Sequence, residues 1–459
     1  MRATAGRGVT QLMTWAAGAS VRDLPAPIRR RAALILADNL GAMVAATSEP
    51  MVQAAQQDLL RRSCHAEATI FARGAPRGDR SAAAAVNGMA ATWCELDEGF
   101  RSAPCHAGAY VIPALLAEAE ASGLPLSRML VCLALAYEIT ARAARAFPYP
   151  VMTVHPHAGF VTIGAAAASA LVRGCDAATL LGGVTGAASM SFAGPFNHAV
   201  DGVMVRNAWT SAGAWVGMQA VDWAMRGISG IPETFYDVFV GAFGTDVAPG
   251  ALTEGLGEAW AVADGYHKIF ACCQYAHSAV EASLVLHQRL RSEGLDPDAI
   301  HEVVVATHPR GLLLTTVEPA TDLAARFSMP HATSASAVLG TGGQAAFSAQ
   351  AMADPRIANL RRRVSLVPHP NIQPSPNDRP ARVLWRLRDG REWAADCSSA
   401  QGGADRPFDE ATLLTKLREN TGSDFPAMAD RLWEVVEGTG HDNMPWRDMV
   451  SRITAETAK

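Results

Sequence analysis

The sequence is poor in charge and in cysteine motifs. Charged residues make up 18% of the 459 positions and the formal net charge is -5, which leaves no electrostatic case for nucleic acid. The densest basic runs, Arg29-Arg30-Arg31 and Arg361-Arg362-Arg363, are too short to change that. The eight cysteines form no CxxC pair, and vicinal cysteines such as Cys272-Cys273 rarely bridge. A chain this long needs no disulfide staples, so a reducing cytoplasm is the expected compartment. No Gly-x-Ser-x-Gly elbow occurs, and no dinucleotide fingerprint follows a strand. His155-x-His157 and Cys272-Cys273 offer metal ligands, yet no tetrahedral spacing set accompanies them. The first residues lack the long apolar core of a signal peptide. The least polar stretch, 177–196, is rich in Gly, Ser and Thr, as expected of buried helices rather than a membrane span.

What the chain does have is apolar residues, 49% of the total, enough for a large core and two or three domains. Helical spacing runs through 9–22, 28–46, 52–62, 81–93, 109–123, 126–147 and 160–172, and further helices fill 178–230. Asp38 falls inside the second of these and reads as a surface or capping position. No strong strand signal precedes residue 260. Beyond it, 299–307 and 364–367 are rich in β-branched residues, while 382–388 and 392–397 flank Asp389-Gly390, the signal for a two-residue type I′ hairpin. The expected fold is mainly α: a large all-helical domain (1–265), a smaller α+β lid domain (266–402), and C-terminal helices (403–459) returning to the first domain.

The chain's chemistry gathers around residues 95–108. Glu95, Asp97 and Glu98 crowd into four positions, Gly99 and Pro104 favour turns, and His106 arrives as an apolar helix begins. His155, His277 and His331 also stand at predicted helix starts. A helix N-terminus disfavours imidazolium, so such a histidine stays neutral and able to accept a proton, beside N–H groups that attract a carboxylate. If these helices converge, the site suits proton abstraction next to a carboxylate. A non-catalytic helical binding protein, needing none of the histidines, is the alternative from another class.

The motifs resemble the MmgE/PrpD family, whose members include 2-methylcitrate dehydratase, cis-aconitate decarboxylase and iminodisuccinate epimerase. The resemblance covers nearly the whole chain. It is carried by Asn87-Gly88, by Glu95-Leu96-Asp97-Glu98-Gly99 with His106, by His155-Pro156, by KIFACCQYAH at 268–277 and by RFSMP at 326–330. It implies a homodimer with a metal-free, cofactor-independent site between helical domain and lid, and a small polycarboxylate as substrate. Carried over residue by residue, it makes Asp97, His106, His155, Lys268 and His277 catalytic and assigns Glu95, Arg206 and His331 to substrate binding. Arg206 stands where the family has a lysine, and His331 where its decarboxylases have a tyrosine. Ala107 replaces a usual proline, and Phe100-Arg101 a Thr-Trp-like pair. The implied activity is a lyase, dehydratase or decarboxylase, with an epimerase of an iminodisuccinate-like dicarboxylate as runner-up.

Overall fold

In the computed structural model, which describes residues 1–455, the first half of the chain is helical. Its helices are α1 (Arg2–Gly18), α2 (Ala26–Ala45), α3 (Pro50–Arg62), α4 (Arg80–Trp93), α5 (Ala107–Ser122), α6 (Leu126–Ala146), α7 (Pro156–Val172), α8 (Ala177–Ser189), α9 (Asn197–Val200) and α10 (Val205–Ala224). Helix α7 is apolar on every face, and every one of its residues is buried. That all-round pattern belongs to a core helix, and α5, α6, α8 and α10 surround it. Its run of alanines lets those neighbours come close. Helix α1 begins at Arg2 rather than at residue 9, and its Gly6 and Gly8 pack against Glu233 and Leu252.

Short strands punctuate the helices. β1 (Ala68–Thr69) pairs with β2 (Arg77–Gly78), and β3 (Gly99–Phe100) pairs antiparallel with β4 (Gly265–Tyr266). Two-residue strands are too short to leave a periodicity in the sequence.

The α+β part follows. It contains α11 (His277–Ser292), β5 (Ile300–Thr307), α12 (Asp322–Arg326), α13 (Met329–Leu339), α14 (Ala349–Ala353), α15 (Pro355–Arg361), β6 (Val364–Pro368), β7 (Ala381–Leu387) and β8 (Glu392–Cys397). The sheet order is β6-β5-β7-β8, with β5 and β6 parallel and the other pairs antiparallel. On β7, Ala381, Val383, Trp385 and Leu387 point inward, alternating with more exposed residues as a one-sided sheet requires. Helix α11 packs against β7 and β8.

The hairpin differs from the expected type I′ turn. Leu387 N–H donates to the Arg391 carbonyl at 2.8 Å, closing a three-residue loop in which Gly390 alone has positive φ, +87°. A type I′ turn needs positive φ at two successive positions, and Asp389 does not adopt it. Helices α16 (Glu410–Thr421) and α17 (Met428–Glu437) pack against α2, and α18 (Trp446–Ile453), which the sequence reading did not separate, packs on α5. Among the described residues, no helix is long and apolar enough to cross a membrane.

Candidate active site

Helix α4 delivers the chain to the acidic stretch, which is held in an unusual path. Glu95 has φ +54°, a left-handed conformation that costs a non-glycine residue about 1–3 kcal/mol and persists only where the surroundings enforce it. Several contacts enforce it. Arg326 donates to the carbonyls of Cys94 and Ala271, both at 2.9 Å. Lys416 on α16 donates to the Leu96 carbonyl at 2.8 Å while ion-paired with Asp38. Asp38 is therefore a buried support of the loop, 8% exposed, and the surface reading is corrected; His267 contacts its other oxygen at 3.0 Å. The β3–β4 pair then sets Tyr266 opposite Gly99. A Cβ on Gly99 would lie 2.3 Å from the Tyr266 hydroxyl, so only glycine permits this approach.

That pairing brings Lys268 to the carboxylates. Its Nζ lies 3.1 Å from Asp97 and 3.6 Å from Glu95, and Glu95 is also ion-paired with Arg206. All four side chains are buried, two anions against two cations. Burial alone raises the Asp97 carboxyl, but the Lys268 ammonium and then His106 outweigh it and hold it well below the usual range. Burial likewise works against the Lys268 ammonium, and Asp97 and Glu95 more than reverse that, so the lysine stays charged.

Two histidines are held in opposite tautomers. His106 stands at the N-cap position of α5 without a side-chain capping bond, and the Glu98 carbonyl (3.1 Å) and an Asp97 oxygen (2.7 Å) both face its Nδ1. The carbonyl makes the better-aligned bond; both groups only accept, so Nδ1 carries the proton and Nε2 keeps a free electron pair. His155 caps α7, and its Nδ1 accepts the backbone N–H of His157 at 3.1 Å. Its proton is therefore on Nε2. Burial, reinforced by Arg206, pushes the His155 pKa well below normal, so the ring is neutral. His157 packs edge-on against both rings, with centroids 4.9 Å from His106 and 4.6 Å from His155, and its Nδ1 shares a 2.8 Å hydrogen bond with Tyr110.

His106, His155, Glu95 and Arg206 line one small cavity of about 40 Å³, together with Phe327 and Arg379. Asp97 and Lys268 stand behind its wall. His277 is close to that pair but turned away: its Nε2 donates to the Cys272 carbonyl at 3.1 Å, and burial followed by Lys268 lowers it to about 3. His331 is not brought to the cavity. Its Nε2 donates to Ala346 O at 2.9 Å and its Nδ1 faces Arg361 at 3.3 Å, so both ring nitrogens serve the α+β part. The N–H groups expected to hold a substrate carboxylate are partly taken as well: Gly108 N–H by Glu98 at 3.0 Å and His157 N–H by His155. Sequence reading missed His157 as a member of the cluster, although its spacing from His155 was visible, and missed Arg379, which no motif marks. Among the described residues, no three His, Cys, Asp or Glu side chains are grouped to hold a metal ion, and none of the eight cysteines is in a disulfide.

Glu98 carries a pH prediction. Burial raises its carboxyl to about 8, against the opposing pull of the Tyr137 hydroxyl, so the folded protein keeps a proton that the unfolded chain releases near 4.5. Its contribution to stability is full below that unfolded value and is lost as pH rises through about 8. Glu98→Gln removes the titration, and the Tyr137 hydroxyl can turn to accept from the new amide. Between about pH 5.5 and about pH 8.5 the variant gains on the native protein by on the order of 1–3 kcal/mol, read as a growing difference in Tm. A difference that stays constant with pH refutes the assignment.

The molecule is thus a mainly α protein with a smaller α+β part, and buried histidines and paired charges meet where the two adjoin. The chain belongs to the MmgE/PrpD family: residues 10–245 match the MmgE/PrpD N-terminal domain and residues 270–439 its C-terminal domain. Among curated proteins, it is 25% identical over 419 residues to a cis-aconitate decarboxylase of Mus musculus, covering 88% of this chain and 84% of that one. It is 26% identical over 321 residues to a cis-aconitate decarboxylase-like protein of Aspergillus oryzae; that match spans 65% of each chain, just under two thirds of the relative.

Proposed function

We propose that this chain is a lyase acting on a small di- or tricarboxylate by proton abstraction α to a carboxylate, with residues 266–402 as the lid. The observation that carries the reading is the pair of opposite tautomers lining one small cavity. His106 Nε2 takes the α-proton, and the electron pair left behind spreads into the adjacent carboxylate as an enediolate. Asp97, 2.7 Å from Nδ1, balances the charge that the ring gains. His155 is too desolvated to take a second proton, so it acts through its Nε2–H as a hydrogen-bond donor to the enediolate or to a departing hydroxyl. In a dehydration, the imidazolium of His106 returns its proton to that hydroxyl; water leaves and the carbon–carbon double bond forms. Arg206, with Lys268 behind it, supplies positive charge to the substrate's anionic groups. Asp97 and Glu95 keep both cations in place.

The same abstraction by His106 also begins an epimerisation, in which a solvent proton is delivered to the opposite face of the carbon. One experiment tests the shared step and separates the readings. Incubating 2-methylcitrate, cis-aconitate and iminodisuccinate with the enzyme in heavy water and excess chelator gives deuterium at an α-carbon or a protonated product carbon. Loss of water or carbon dioxide identifies a lyase, and exchange with inversion identifies an epimerase. Binding with neither exchange nor product in all three refutes proton abstraction and leaves a binding protein.

A further inference from the structure

The cavity that holds the histidines has room for roughly three water molecules, too little for a whole polycarboxylate. Beyond it lies a second cavity of about 400 Å³, and Pro104 and Arg379 line both. Three guanidiniums border this vestibule, from Arg101, Arg310 and Arg379, against one carboxylate, Asp378. Asp378 is bound by Arg101, which also donates to the Pro376 carbonyl at 2.8 Å, and lies 3.7 Å from Arg379. Arg310 has no carboxylate partner among the described residues; its Nη1 contacts the Tyr275 hydroxyl at 3.3 Å. In a chain of net charge -5, this is a local surplus of positive charge that Asp378 alone, among the described residues lining the vestibule, offsets.

Arg379 is the group at the junction. It is buried, it bonds Gln274 through one nitrogen, its guanidinium lies 5.2 Å from the Tyr275 ring centre, and its Nε, 3.7 Å from the Asp378 carboxylate, makes no hydrogen bond. A buried guanidinium with donors left free of hydrogen bonds, on the wall between the histidine cavity and the vestibule, is suited to take an anion. Since two N–H groups at the helix starts are already bonded to the protein, the carboxylate farthest from the reacting carbon needs another holder.

Building on the polycarboxylate reading above, we infer that Arg379 binds the substrate's distal carboxylate at the mouth of the vestibule and so selects ligands with a third carboxylate-bearing arm. Arg310 adds long-range attraction from the vestibule side.

Two inert probes isolate this arm: tricarballylate, and methylsuccinate, which keeps the vicinal carboxylates and has a methyl group in place of the third arm. Calorimetric titration of the native enzyme gives a preference for tricarballylate of about tenfold or more, the worth of one charge-assisted hydrogen bond. Arg379→Gln removes that preference by weakening tricarballylate alone, leaving methylsuccinate within about twofold; Arg379→Lys restores part of it. Retained methylsuccinate binding also reports that the variant is folded. Should Arg379→Gln not fold, Arg310→Gln lowers tricarballylate affinity by roughly three- to tenfold, and less at high salt. The inference is overturned if the native enzyme shows no preference, or if Arg379→Gln weakens both ligands equally or neither. Deuterium exchange in the native enzyme is scored separately, so a failed base mechanism and a failed distal site give different results.

Discussion

His106→Ala slows deuterium incorporation into a bound polycarboxylate by about a hundredfold or more, the usual worth of a positioned acid–base group. The expectation is specific to His106 because its Nε2 alone combines a free electron pair, an opening to the cavity and a counter-charge at the opposite nitrogen. His155 lines the same cavity but presents a proton there. His155→Gln retains a donor and is expected to lose less rate than His106→Gln, which retains the size and removes the base. Equal losses in the two glutamine variants refute the division of labour. An unaltered exchange rate in His106→Ala removes His106 from the chemistry.

Lys268→Met destabilises the fold by about 3–5 kcal/mol, as expected when one member of a buried ion cluster is removed and a carboxylate is left without its counter-charge. Asp97 loses its 3.1 Å partner, whereas Glu95 still has Arg206. The damage therefore centres on Asp97, and Asp97→Asn in the same chain recovers most of the loss, a coupling that equilibrium unfolding of the two single variants and the double variant measures. The double variant regains stability without regaining activity, because the charge beside His106 Nδ1 is gone. A loss below about 1 kcal/mol in Lys268→Met contradicts the charge arrangement.

The sequence disclosed those features of the fold whose cause is local. The helical spacing of 28–46 and the β-branched run at 299–307 reappear as α2 and β5, and His106 and His155 do stand at helix starts, because capping depends on neighbours a few residues away. What was not legible depends on partners far along the chain. Asp38 looked like a surface residue because nothing near it announces Lys416, 378 positions later. The tautomers of His106 and His155 follow from which backbone atom each Nδ1 meets, a matter of tertiary path. His331 shares the helix-start signature yet bonds Ala346 and Arg361, so a residue pattern alone did not separate a histidine facing the cavity from one bracing the α+β part.

The span of these contacts also bears on how the protein comes into being. Asp97 meets Lys268 across 171 positions, and Lys416 reaches the Leu96 carbonyl across 320. During synthesis, a ribosome making about 5–20 residues per second exposes the acidic stretch many seconds before either lysine exists. Until then Glu95 has Arg206 and Asp97 has His106 but neither has a lysine, and closing such long loops adds an entropic cost to whatever assembles there. Helix α4 and the core around α7 can pack early, but the reactive pocket is completed only after α16 has been made. The histidine and carboxylate cluster is thus assembled late, and a nascent chain cut short before residue 416 lacks one of the contacts that hold it.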